Sequence, residues 1–216
     1  MFIGHLAVGL AAKQVAPRTS LGTLIAAATG LDLLWPVLLL LGVEEVRIVP
    51  GITAVTPLDF VSYPWSHSLL LACVWGLLFG GVYLLARRER TAAAVLAVAV
   101  VSHWVLDLVS HRPDLPLVPG GSRYGLGLWD SPLATVLVET ALFAVGVTLY
   151  ARATRARDRA GAVALWSLVV FLLVVYAANL AGPPPPSEQA IGWLALAAWL
   201  FVPWGAWIDR HRAPVV

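Results

Sequence analysis

Residues 91–111, TAAAVLAVAVVSHWVLDLVSH, decide how this chain is read. Positions 91–101 carry only Thr, Ala, Val and Leu, and the closing stretch adds His103, Asp107 and His111. Their i, i+4, i+8 spacing stacks these three side chains on one face of a helix. A segment this apolar reads as a membrane helix, where an Asp at the helix centre costs about 2.5–3.5 kcal/mol on insertion scales. Partners must offset that cost, and a divalent cation is an economical one for carboxylates and imidazoles together.

The rest of the chain carries the same character. Of 216 residues, 60% are hydrophobic and 12% charged, whereas a soluble domain carries about 25% charged residues. Mean hydropathy is +0.84, and the apolar residues come in runs of about 20, enough to cross roughly 30 Å of hydrocarbon. The net charge of +2 and pI near 9.0 do not point to nucleic acid, because the basic residues gather at helix ends. Cys73 stands alone in an apolar run, so no disulfide framework is available. MFIGHLAVGLAAK has no basic residue before its apolar stretch, and Lys13 follows it. The segment is therefore expected to be a short retained helix, not a cleaved signal peptide.

Breakers at Pro17, Gly42, Pro50–Pro64, Pro113–Gly127 and Pro183–Pro186 predict an all-α, polytopic transmembrane bundle of seven helices. The expected segments are 2–15, 20–42, 66–86, 91–110, 131–151, 160–181 and 190–208. Residues 1–151 would form the metal-site bundle. Residues 152–216 would add two spans and a basic cytoplasmic tail within one integrated membrane domain. Gly76 and Gly80 have the small-xxx-small spacing of closely packed helices. No internal repeat suggests an inverted-repeat transporter.

Charge then orients the bundle. If the 87–90 loop is cytoplasmic, that side collects Lys13, Arg18, Arg87, Arg88, Arg90, Arg152, Arg155, Arg157, Arg159, Arg210 and Arg212, against Arg47, Arg112 and Arg123 opposite. This bias predicts a multi-pass membrane protein with its N-terminus outside and its C-terminus inside. His5, Asp32, His67, His103, Asp107, His111 and Glu139 then all fall in the outer half of the membrane, although none of them entered the topology argument.

His5, Asp32 and His67, from other helices, are candidates to close a metal shell around His103 and Asp107. Such imidazole and carboxylate donors suit zinc first, or manganese or iron, better than magnesium or calcium. The competing reading is an Asp–His network in which the groups satisfy each other without an ion. Glu139, about 12 Å into the bilayer by the rise per residue, is a candidate ligand, general base or arginine partner. His111 is a second catalytic candidate, although a solvated helix exit beside Asp114 explains it almost as well. Arg112 and Arg123 are expected to hold an anionic group such as phosphate, unless they are simply solvated. Asp59, Tyr63 and Asp130 form a second tier, and His211 in the basic tail is given no role. The Pro- and Gly-rich loops at 43–65 and 111–130 are long enough to act as covers.

At GHLAVG, the Asp of LDLLWP, the SHSLL after a Pro, SHWVLDLVSH, and GLGLWDSP followed by Glu139, the chain resembles the YdjM-like family of inner-membrane metal-dependent hydrolases. That family is distantly similar to the zinc-dependent phospholipase C and single-strand nuclease superfamily. The resemblance covers roughly residues 1–139. It implies that His5, Asp32, His67, His103 and Asp107 are metal ligands and that the reaction is a hydrolysis. The expected function is a membrane-embedded, metal-dependent hydrolase meeting membrane lipid and acting on a lipid or lipid-linked phosphoester. The alternatives are a divalent-cation or proton transporter and a non-catalytic structural membrane protein.

Overall fold

Thr29 and Gly30 break what would otherwise be one long apolar helix. The Thr29 hydroxyl donates to the Ile25 carbonyl at 2.8 Å, a back-bond that bends helices, and the following glycine supports helix poorly. The result is two helices, α2 (Leu21–Ala28) and α3 (Gly30–Leu40), bent by 60°. Pro36 inside α3 has no N–H for the carbonyl four residues earlier, that of Asp32. Irregular backbone in an apolar bundle is tolerated where protein or a water-lined cavity satisfies it, and this break carries Asp32 and the Ala28 carbonyl.

The computed structural model describes residues 1–215 and is mostly helical. Before the break comes α1 (Ile3–Ala11). After it come α4 (Pro64–His67), α5 (Leu69–Arg87), α6 (Arg90–Ser110), α7 (Pro132–Ala153), α8 (Arg159–Ala181), α9 (Glu188–Leu196) and α10 (Phe201–Arg210). Five helical spans are long and apolar enough to cross a membrane: α5, α6, α7, α8 and the continuous stretch of α9 and α10. The bent α2–α3 pair makes a sixth if it is one span. All seven expected segments are helical, but they are not seven straight spans. The first is nine residues with a 3-10 turn added, too short to cross, and the second is broken.

Three short antiparallel ladders interrupt the helical picture. β1 (Glu45–Ile48) pairs with β2 (Leu58–Ser62), and β3 (Leu115–Pro116) with β4 (Arg123–Tyr124). These two ladders structure the loops expected to act as covers. β5 (Thr154–Ala156) pairs with β6 (Arg212–Pro214), which fastens the C-terminal segment to the α7–α8 connection. Beside it, His211 Nδ1 lies 2.8 Å from Asp158 Oδ2, while Asp158 caps the start of α8 through the Gly161 N–H.

α1 is the buried centre of the bundle, with seven of its nine residues inaccessible. Its main neighbour is α7, with α2 and α6 flanking it. The α1–α7 approach depends on Gly146: a Cβ there would stand 2.5 Å from the Ala7 carbonyl oxygen. Similarly, Cβ atoms at Gly76 and Gly80 would stand 2.8 and 2.6 Å from the Ala97 and Ala93 carbonyls, which explains the spacing seen in α5.

The chain just after α1 is held by a buried ion pair. Lys13 donates to Asp209 Oδ2 at 2.6 Å and to the Thr19 carbonyl at 2.7 Å. The same carboxylate takes the Leu21 N–H and the Tyr150 hydroxyl. Asp209 thus joins α10, the start of α2, α7 and the segment after α1, and the last two spans are built into the same packing.

Gly146→Leu is expected to destabilise the protein by about 1–3 kcal/mol through overpacking. Gly81→Leu, at a position where a Cβ meets nothing within 4 Å, should be tolerated. Thermal unfolding of the two variants in detergent checks the contrast.

Candidate metal centre

His103 and Asp107 lie on the inward face of α6, both buried. Asp107 is 17 residues, about 25 Å, along α6 from Arg90 and close to the helix end. Around this pair converge His5 from α1, Asp32 from α3 and His67 from the end of α4. Two groups, His5–His103–Asp107 and Asp32–His67–His103, each offer ligand atoms that lie within 4.8 Å of one another. The two groups share His103, and the five side chains form one cluster.

Hydrogen bonds outside the cluster set the ring orientations. His103 Nδ1 lies 2.9 Å from the Ala28 carbonyl, which can only accept, so Nδ1 carries the proton and Nε2 of the neutral ring presents a lone pair. His67 Nδ1 lies 2.7 Å from Ser66 Oγ, and that hydroxyl donates to Glu44 Oε2 at 2.6 Å. Ser66 therefore accepts from His67, whose Nε2 is also a lone pair. Both Nε2 atoms face carboxylate oxygens. For His103 these are Asp107 Oδ2 at 3.2 Å and Asp32 Oδ1 at 3.5 Å; for His67 they are Asp32 Oδ1 at 3.5 Å and Asp107 Oδ2 at 3.7 Å.

Acceptors facing acceptors in a buried site repel unless a cation lies among them. Protons would favour N···O separations near 2.7–2.9 Å for charge-assisted bonds. Zinc-type bonds of 2.0–2.2 Å in a tetrahedron place neighbouring ligand atoms about 3.4 Å apart. The observed 3.2–3.7 Å matches the second arrangement. His103 Nε2 is also buried without a hydrogen-bond partner, as is His5 Nδ1. The residues present therefore fit a metal ion.

On the other side of Asp107, Oδ1 lies 2.9 Å from His5 Nε2 and 4.0 Å from His111 Nε2, and it also takes the Met1 amino group. The His5 ring stacks on His103 with centroids 3.5 Å apart. Asp32 is the only member of the cluster open to the outside, its side chain 39% exposed where His67, His103 and Asp107 are at 4% or less. The cluster therefore communicates with its surroundings through Asp32.

His111 is buried, not solvated, and so is Asp114. Its Nδ1 donates to Asp114 Oδ1 at 2.9 Å, and Tyr63 donates to the same oxygen at 3.0 Å. Burial first, and the Asp114 carboxylate next, hold the Tyr63 phenol well above its ordinary pKa, so its hydroxyl remains a donor. Trp129 packs on the His111 ring at 4.2 Å. The stretch before it caps α6, with the Leu126 and Gly127 N–H groups donating to the Leu108 and His111 carbonyls.

Glu139 belongs to neither metal group. Its Oε2 accepts from the Phe2 and Gly4 N–H groups at 2.8 and 3.3 Å, satisfying free donors at the start of α1 where negative charge is favoured. This carboxylate, a candidate ligand, base or arginine partner in the sequence, positions the helix that carries His5 through these bonds. Arg112 is likewise engaged, by Asp59 and by Asp114, which lies 3.2 Å from its Nε. Arg123 touches no carboxylate among the described residues and donates to the Val61 carbonyl.

Sequence reasoning did not find Glu44 and Ser66, which orient His67. Ser66 adjoins a candidate ligand in PWSH. Glu44 and Glu45 are indistinguishable in sequence, yet Glu44 is buried and takes three donors while Glu45 pairs with Arg47 at the surface.

Comparison with family models, curated proteins and solved structures finds no match for this chain.

Ser66→Ala removes the acceptor for His67 Nδ1–H and should weaken metal affinity about 10–100-fold, the usual effect of losing an outer partner of a ligating histidine. Competition with a chromophoric chelator measures this. Unchanged affinity would show that the Glu44–Ser66 chain does not orient a ligand.

Proposed function

We propose that the protein is a membrane-embedded, metal-dependent hydrolase acting on a lipid or lipid-linked phosphoester. The observation that carries this reading is the set of Nε2 lone pairs on His67 and His103 facing the Asp32 and Asp107 oxygens at 3.2–3.7 Å. His5, Asp32, His67, His103 and Asp107 would hold the ion, and this mixed nitrogen and oxygen set favours zinc, manganese or iron over magnesium or calcium. Bound there, the ion supplies Lewis acidity toward a phosphoryl oxygen and toward water.

The chain's own residues supply the rest. Hydrolysis needs a group to take the proton that water loses and to protonate the leaving oxygen. His111 is placed for this: Asp114 holds its Nδ1–H, and its Nε2 faces Asp107 at 4.0 Å. Trp129, Phe60 and Tyr63 pack around the His111 ring and keep bulk water away. Asp32, at the opening, is where substrate would enter.

The surroundings support a lipid-linked substrate. The site adjoins apolar spans, and the exposed large side chains of α5, such as Leu70, Leu77 and Leu85, suit acyl chains better than water. We place the β1–β2 and β3–β4 ladders outside and the Lys/Arg-rich end in the cytoplasm on the charge bias, and the protein in an inner membrane on the resemblance. The same reading is in keeping with the resemblance to the YdjM-like family. Transport is the weaker alternative, because buried Leu24, Ala27, Leu96, Ala99 and Val100 form an apolar core in the spans that carry the cluster, where a conduit needs polar groups.

Protein reconstituted with zinc or manganese should release product from phospholipid or a lipid phosphoester. Asp107→Ala and His103→Ala should lose bound metal and at least about 100-fold in turnover, the order of effect expected when catalytic electrostatics are removed. Equal turnover by wild type and both variants would remove the enzyme reading. Substoichiometric metal in the wild type would remove the metal centre itself.

A further inference from the structure

Three arginines lie at the end of the molecule that carries the cluster, and two of them are neutralised. Arg47 pairs with Glu45 at 2.7 Å, and Arg112 with Asp59 and Asp114. Arg123, on β4, is exposed and meets no carboxylate among the described residues. Its one hydrogen bond, from Nη2 to the Val61 carbonyl at 2.8 Å, anchors the guanidinium to the edge of β2. The remaining donors of its five-donor fork are available to a ligand.

Arg123 lines a cavity of about 330 Å³ with Ser62, Tyr63, Pro116, Gly120 and Gly121. None of its lining residues is acidic, so the arginine charge is uncompensated there. The volume is at the small end of ligand sites, roughly 300–1,000 Å³, enough for a compact polar group and too small for acyl chains.

The cavity shares a wall with the metal centre. Tyr63, which lines it, packs tilted against the His67 ring at 5.2 Å and donates to Asp114, the partner of His111. It also adjoins the start of an apolar span. Leu117, beside β3, accepts from the Leu70 N–H at 3.0 Å in the first turn of α5. A molecule seated here would have its charged end in the cavity, its reacting bond toward the His67 side, and its apolar part free to run along α5.

We infer that this cavity is the subsite for a phosphate-type anion on the substrate, held by Arg123. The inference rests on the hydrolase reading for the word substrate, but the binding itself does not require turnover. The anion has two sources, a lipid headgroup or a free phosphate, and the experiment separates them.

Purified protein in a phosphate-free maltoside detergent is titrated with phosphatidic acid in mixed micelles and, separately, with inorganic phosphate, following tryptophan fluorescence or heat. Metal content is measured on each sample. Wild type should bind phosphatidic acid. Arg123→Gln should weaken that binding about tenfold or more, as expected for losing a hydrogen bond to a charged group, with metal content unchanged. Arg123→Lys should fall between them, because a point charge replaces a planar fork. Arg47→Gln, exposed and outside the cavity, should bind like wild type.

Binding of inorganic phosphate as tight as that of phosphatidic acid, with the same dependence on Arg123, would support the anion subsite and assign it a free phosphate. Equal phosphatidic acid binding by wild type and Arg123→Gln at equal metal content would overturn the inference. Arg123-dependent binding in a protein that never turns over lipid would leave the subsite standing while the hydrolase reading fell.

Discussion

Asp107 is the constraint on which the rest of this structure depends. One of its oxygens faces His67 and His103, the other faces His5 and His111, and both lie deep in an apolar bundle. A buried charge is stable only with good partners, and removing one partner of such a pair typically costs about 3–5 kcal/mol. His67, His103 and His111 present acceptors at Nε2, because their Nδ1 protons are committed to Ser66, Ala28 and Asp114, whereas His5 Nε2 and the Met1 amino group lie within hydrogen-bond distance of Oδ1. A cation among them would turn mutual repulsion into attraction, and the ligand atoms lie close enough together to hold one.

The scaffold keeps that arrangement from relaxing. α1, which carries His5, is held on both sides: Glu139 takes N–H groups at its start, and Lys13, just beyond its end, is buried against Asp209. The break at Thr29 turns α3 so that Asp32 reaches the cluster while the Ala28 carbonyl receives His103. Glu44, through Ser66, does the same for His67. The His67 and His103 rings are each oriented by a group that does not itself belong to the cluster, as a metal site requires of its histidines.

Cover and access are divided between different parts of the chain. The two ladders over the cluster bring Phe60, Tyr63 and Trp129 onto His111, and the loop ending at Trp129 caps α6. Asp32 remains the opening. Arg112 locks β2 to the α6 exit through Asp59 and Asp114, while Arg123 is left free beside a cavity. Two arginines that look equivalent in sequence thus do different work: one fastens the cover and the other faces solvent and cavity.

The apolar spans, their breakers and the gathering of His5, Asp32, His67, His103 and Asp107 were legible in the sequence. Hydrophobic run length is a local property, and ionisable residues of ligand type in such runs need partners wherever the chain goes. The i, i+4 relation of His103 and Asp107 follows from helix geometry alone. What each remaining polar group faces was decided only by tertiary structure, because burial and hydrogen-bond partners come from residues distant in sequence. Glu139, open in the sequence to a role as ligand, base or arginine partner, holds the start of α1; Glu44, unassigned there, orients His67; and His111, a catalytic candidate with a solvated helix exit as its alternative, is enclosed. The break at Thr29 lay unread inside one apolar run, since a bend depends on which backbone groups neighbouring helices can satisfy.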